Sequence, residues 1–267
     1  MKKKLKWAML ISSVLLLVSI AFGVESFYES RNEVPEWENP KEFNEDVFVF
    51  ARLRYSSWGR GNRWATDYPD SDLNFSYRLQ QMTTIKVDPN PVIVDFTDPE
   101  IVNYPFLYVV EPGQMDLSDE EVKGAKKYMD NGGFVLIDDF WGNNALDNLK
   151  WNFKRIYPDR EFVELDISHP IFHMVYEFEE KPQVPAINVA INGRYQGITW
   201  EFGEEGRIVH YQAMYDEKGR MCALLCHNTD LGDGWEREGE SKWYFKEFSE
   251  KKAFPMGVNI VTYLMTH

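Results

Sequence analysis

Residues 118–139 constrain the fold more than any other stretch of this sequence. Ser118-Asp-Glu-Glu121 is a capping box, with Ser118 at the N-cap and Glu121 placed to reach back to it. Val122, Ala125 and Met129 then fall on one helical stripe, and Gly132 and Gly133 end the helix. Phe134-Val-Leu-Ile-Asp-Asp139 follows at once, a short apolar run with the pattern of a buried strand. A helix that feeds directly into an apolar strand is the repeating unit of an α/β protein.

The neighbouring segments repeat that alternation. Val47, Val49, Ala51 and Leu53 share one face of a strand over 47–55, with Arg52 and Arg54 opposite beside Phe48 and Phe50. Val92–Phe96 and Phe106–Val110 read as two further strands. Helix signals begin near Asp70, with Leu73, Tyr77 and Leu79 apolar, and a second helix runs from about Asn144 to Ile156. The pattern predicts an α/β fold: a mostly parallel sheet flanked by helices. After Glu161 the pattern changes. Val184–Ile191, Gly197–Phe202, Arg207–Tyr215 and Arg220–His227 read as strands, joined by turns such as Asn192-Gly193 and Lys218-Gly219. They predict a C-terminal antiparallel extension, closed by a helix over Phe254–Met265.

The ends say where such a chain goes. Lysines crowd the first six residues, and an apolar run from Ala8 to Gly23 ends in Ala21-Phe22-Gly23. This is the form of a secretory signal, and the run is shorter than the ~20 residues of a comfortable membrane span. Residues 1–23 are therefore expected to be a signal peptide cleaved after Gly23, or an anchor if cleavage fails. Residues 24–45 read as a linker and 46–267 as a single domain. The expected location is outside the cytoplasm: periplasmic, or tethered to the membrane through the N-terminus alone. Loss of the leader removes four lysines and no acid, taking the formal charge from −14 to −18. Such an acidic body repels polyanions, so nucleic acid is not an expected partner. Cys222 and Cys226 lie four apart on one expected strand, about 13 Å from each other, too far for a disulfide.

Several segments together resemble one bacterial family. They are Ala65-Thr-Asp-Tyr-Pro-Asp70, the run from Tyr104 through Leu117-Ser-Asp-Glu-Glu-Val122 to Asp139, His169-Pro-Ile-Phe-His173, His227–Glu236 and Met256-Gly-Val-Asn259. The chain resembles the domain of unknown function 4159 over nearly all of its mature length. The resemblance implies a fold similar to the class I glutamine amidotransferase-like domain, and no established activity. Amidotransferases of that fold carry a cysteine in a Gly-x-Cys-x-Gly turn. Neither cysteine here sits in such a setting, and the counterpart Val110-Glu-Pro-Gly113 has no thiol. No Gly-x-Ser-x-Gly elbow is present either.

Four groups of residues have the chemistry of a site. Arg54 and the loop Trp58-Gly-Arg60-Gly-Asn-Arg63-Trp64 leave a strand's carboxyl end, where α/β sheets bind ligands. Their guanidinium forks suit a carboxylate or phosphate and their indoles suit a sugar, with Asp67 close behind in the chain. Asp138-Asp139 ends another strand, whose alternation would turn one carboxylate to each face. One of the pair would cap the next helix, or the other would hold a metal or a histidine. His169 and His173, four apart, would share a metal on a helix, singly carry a proton beside a carboxylate, or, the simplest reading, pack as structural histidines. His227-Asn228-Thr-Asp230-Leu-Gly-Asp233-Gly-Trp-Glu236 gathers oxygen ligands on a glycine-rich turn. A divalent cation is the cofactor that Asp230, Asp233 and Glu236 would take, although turn residues of this kind also bond their own backbone.

Three readings of function follow. The first is an exported cell-envelope binding or interaction module without a nucleophile. Its partner would be a polar or anionic small molecule or an envelope protein, held by Arg54, Trp58, Arg60, Arg63, Trp64, Asp67, His227, Asn228 and Asp230. The second is a hydrolase using Asp139 and His169, cation-assisted. The third is a structural component of a membrane-associated assembly.

Overall fold

The computed structural model describes residues 34–41, 47–59 and 61–267. The leader, most of the linker and Arg60 lie outside them. The sheet has seven strands: β1 (Ala51–Leu53), β2 (Val92–Val94), β3 (Phe106–Val110), β4 (Phe134–Phe140), β5 (Val163–Glu164), β6 (His210–Tyr215) and β7 (Met221–His227). Their order is β2-β1-β3-β4-β7-β6-β5. The first five in that order run parallel, and β6 is antiparallel to both of its neighbours.

Helices cover both faces, as the near-continuous apolar strands require. Alternation along β3 divides the core. Phe106, Tyr108 and Val110 face one side with Phe50, Phe75 and Trp235. Leu107 and Val109 face the other with Ala51, Leu53, Ala125, Leu149 and Phe153. The first side is covered by α1 (Asp70–Met82) and by two helices met later in the chain. The second is covered by α2 (Asp119–Asp130) and α3 (Gly142–Ile156). The capping box forms as expected: Glu121 N donates to Ser118 Oγ at 3.2 Å, and Ser118 N donates to Glu121 Oε2 at 2.7 Å.

Arg52 sits on the first face, with no solvent exposure, over the Tyr108 ring at 4.7 Å. Its charge is matched by an ion pair with the equally buried Asp72 of α1. It also donates to Ser71 Oγ at 2.8 Å and to the Thr66 carbonyl at 3.0 Å, tying the loop after β1 to the sheet.

The antiparallel extension is smaller than the sequence predicts. Arg207–Tyr215 and Arg220–His227 contain β6 and β7, but Val184–Ile191 overlaps the helix α4 (Ile187–Gly193) and 197–202 contains no strand. The buried residues of α4, Ile187, Ala190 and Gly193, recur every three positions, a helical spacing that a short apolar run does not distinguish from alternation. Ile187 N also donates to Asp233 Oδ2 at 2.6 Å, a contact invisible to local sequence. The chain ends with α5 (Leu231–Glu236), α6 (Lys242–Tyr244), a π-helical stretch over Phe245–Ala253 and α7 (Phe254–Thr266). α5 and α7 complete the cover of the first face.

Part of the expected linker lies against the domain: Trp37 Nε1 and Asn39 Nδ2 both donate to the Val87 carbonyl at 2.8 Å. Both cysteines are free and buried in β7. Among the described residues, no helix is long and apolar enough to cross a membrane.

Candidate functional site

The carboxyl edge of the parallel strands gathers side chains from four separate parts of the chain. The loop after β1 brings Arg63 and Asp67, the end of β3 brings Glu111, β4 brings Asp138 and Asp139, and the turn after β7 brings Asp230. Asp67, Glu111, Asp139 and Asn228 all have positive φ, between 48° and 62°. Non-glycine residues adopt that conformation at a cost, and such positions cluster at functional sites.

Asp139 shows how the backbone sets its aim. The register of β4 against β7 shifts between Ile137 and Phe140, so the strand carries one extra residue there. Such a bulge re-aims side chains. The regular alternation expected for Asp138 and Asp139 is therefore broken. Asp138 Oδ2 accepts from Tyr108 Oη at 2.9 Å and from Gly232 N at 3.0 Å. Neither aspartate caps α3, whose N-cap is Trp141. Asp139 faces a cleft of about 250 Å³ at this edge, lined also by Arg63, Glu111, Trp141, Glu201 and Phe202.

Asp67, Asp138, Asp139, Asp230, Asp233 and Glu236 crowd here beside Glu111 and Glu201. Burial raises Asp138 to about 7 against the hydrogen bonds it accepts. Burial, then the charges of Asp67, Glu111 and Asp138, pushes Asp139 well above the ordinary range. Asp230 is raised by burial and then by Asp139 and Asp233, and Asp67 and Asp233 are raised chiefly by burial. Burial and a hydrogen bond with Asp67 carry Glu236 to about 9.

Oxygens of Asp67, Asp139 and Asp230 lie within 4.8 Å of one another, as do oxygens of Asp67, Asp233 and Glu236. The metal set read from the sequence, Asp230 with Asp233 and Glu236, is thus divided between two groups that share Asp67. The reason is local. Asp230 caps α5 by accepting from Asp233 N at 2.7 Å. Asp233 is engaged by Ile187 N, Tyr244 Oη and Arg237 Nε, and Arg237 also pairs with Glu236 at 3.1 Å.

The other expected residues have varied places. Arg54 is exposed and bound through Nε to Asp95 Oδ1 at 2.8 Å, and Arg63 pairs with Glu111 at 2.7 Å. Trp58 is exposed and Trp64 is buried. Asn228 is fully engaged: Oδ1 accepts from Gly142 N at 2.9 Å, and Nδ2 donates to the Glu205 and Ile208 carbonyls. His227 lies beneath the cleft, its ring 5.0 Å from that of Phe140. Burial lowers its pKa to about 4.

His169 is elsewhere. Its Nδ1 accepts from Ile171 N at 3.2 Å, and its Nε2 contacts Tyr215 Oη at 3.3 Å. Tyr215 pairs with Met221 at the start of β7, whereas Phe140, next to Asp139, pairs with His227 at its end. The seven residues of β7 therefore separate His169 from Asp139 by about 20 Å at ~3.3 Å per residue. His173 is engaged separately, by Glu177 at 2.5 Å and the Ile167 carbonyl at 2.7 Å. The segment between the two histidines is a single 3-10 turn, Pro170–Phe172. A larger, apolar cavity of about 660 Å³, lined by Phe48, Phe106, Phe134, Met221 and Leu264, lies at the opposite, amino edge.

The match to known families spans residues 49–265 and is to a domain of unknown function (DUF4159). The chain belongs to that family. No curated protein matches the sequence. In this DUF4159 domain the acidic carboxyl edge includes residues that single motifs do not reveal. Glu111 and Glu201 join it from a strand end and a connecting loop. The sequence signal for Glu111 was its place directly after an apolar strand; Glu201 has none.

Proposed function

We propose that this DUF4159 domain is an exported binding module whose carboxyl-edge cleft takes a polar, hydroxyl-rich ligand of the cell envelope. The observation that carries the reading is the lining of the cleft. The exposed Phe202 ring lines the cleft with the largely buried Phe140 and Trp141, beside the carboxyl groups of Glu111, Asp139 and Glu201. Rings that cover a sugar face and carboxylates that accept its hydroxyls are the two contacts such a ligand needs. An anionic ligand fits less well, because Arg54 and Arg63 are already paired with Asp95 and Glu111. The N-terminal sequence supports export, to the periplasm or to a membrane tether.

We read the fold as amidotransferase-like without the amidotransferase nucleophile. In support, Glu111 has φ 48° immediately after β3 and is followed at once by the turn Pro112–Gln114. A carboxylate thus stands on a sharp turn of the kind where those enzymes carry cysteine. The separation of Asp139 from His169 favours binding over a hydrolase built on that pair.

Isothermal titration with N-acetylhexosamines, amino sugars and neutral disaccharides tests the reading. Saturable binding is expected, weakened about tenfold or more in Phe202→Ala and Glu201→Gln. Phe202 is exposed, and glutamine keeps the oxygen that accepts from Ala186 N, so neither change threatens the fold. Absence of binding across the panel, or binding unchanged in both variants, overturns it.

A further inference from the structure

We propose that Asp67, Asp139 and Asp230 form a binding site for one hard divalent cation, open toward the cleft. The inference rests on the reading of that cleft as the binding site only for what the ion would present to a ligand; its own geometry is independent.

Two oxygens bound to one calcium ion at about 2.4 Å are at most about 4.8 Å apart. The three carboxylates, offering oxygens within 4.8 Å of one another, meet that limit from three separate elements. They come from the loop after β1, the bulged end of β4 and the N-cap of α5.

A gathering of acids alone would not make a site, but sealed oxygens here lack any donor. Asp67 Oδ2 and Asp138 Oδ1 are shut off from solvent and have no hydrogen-bond partner, and Asp138 is wholly buried. Buried polar atoms are normally satisfied, so such oxygens are left free to accept from a donor or to ligate a cation. The nearby arginines do not supply the donor: Arg52 is committed to Asp72, and Arg237 to Asp233, Glu236 and Glu240. Among the described residues, no lysine or arginine forms an ion pair with Asp67, Asp139 or Asp230.

The chain also keeps the space clear. A Cβ on Gly232 would lie 2.6 Å from Tyr108 Oη, 3.0 Å from Asp67 Oδ2 and 3.4 Å from Asp230 Oδ1. Glycine at this position leaves those three oxygens facing a common gap. Carboxylates with no sulfur or imidazole select a hard ion of the calcium, magnesium or manganese kind. Three side chains leave coordination positions free, and Asp139 lines the cleft, so ligand hydroxyls or water would complete the shell from that side.

The test uses the mature chain, stripped with a chelator, and the metal alone. Calcium, magnesium and manganese are titrated calorimetrically, with melting temperature as a second readout. At least one ion is expected to bind with 1:1 stoichiometry and raise Tm. Asp139→Asn and Asp67→Asn should each weaken it by about tenfold or more. Asparagine preserves shape and tolerates the positive φ at both positions, so at least one variant should fold. Failure of all three ions to bind, or undiminished binding in a folded Asp139→Asn or Asp67→Asn variant, overturns the site. Metal binding without any sugar binding would instead defeat the ligand reading and leave the cation site standing.

Discussion

His227 gives the domain a specific sensitivity to acid. The residue is 2% exposed. Its Nε2 donates to the Gly142 carbonyl at 3.0 Å, while Nδ1 is sealed without a partner. A proton on Nδ1 would therefore be buried unsolvated, 5.8 Å from the His210 ring on the neighbouring strand. Burial first, and then the charge of His210, hold the pKa near 4 against an ordinary 6.5. Because the folded value is the lower one, the unfolded chain binds the extra proton. Stability from this group is complete above pH 6.5 and is lost as pH falls toward about 4. A gap of roughly 2.5 units at 1.36 kcal/mol each amounts to about 3 kcal/mol. The perturbation is His227→Gln, which keeps an N–H donor for Gly142 and cannot titrate. Urea unfolding followed by tryptophan fluorescence at pH 7, 6, 5 and 4 measures both proteins. Lost ring packing should offset the variant by a constant amount. Beyond that offset, wild type should lose about 3 kcal/mol more than the variant between pH 7 and pH 4. Parallel stability curves across the whole range would refute the reasoning.

Two stability predictions test the packing around the site. Asp72→Asn leaves the Arg52 guanidinium buried without its counter-charge and should cost about 3–5 kcal/mol in urea unfolding, most of it recovered by Arg52→Met with Asp72→Leu. Gly124→Ala would raise helix propensity by about 1 kcal/mol, yet its Cβ would fall 2.0 Å from the Phe96 carbonyl oxygen, so Tm should drop rather than rise.

The strands and helices of the first 160 residues were legible because each carries its own signal. The Ser118 capping box, the glycines after α2 and the unbroken apolar runs of β3 and β4 are decided locally. The segment around Ile187 was not, since its helix is fixed by Asp233 from 46 residues away. The site divides in the same way. Asp139 and Asp230 stand out because each ends or follows an apolar strand. Asp67 could be noticed in its motif, but its place between two carboxylate groups depends on Arg52 anchoring the loop before it. His169 misled, because adjacency of histidine and proline says nothing about which end of a strand the turn will meet.

The short outer strands limit how copies of this domain can associate. β5 has two residues, both exposed, and β2 has three. An unpaired strand edge is a template for another chain, and its strength grows with the length it offers. Neither flank here provides more than a few backbone groups in a row. Continuation of the sheet from one molecule into the next is therefore a poor route to dimers or fibres. Among the described residues, the strand edges therefore offer little to self-assembly.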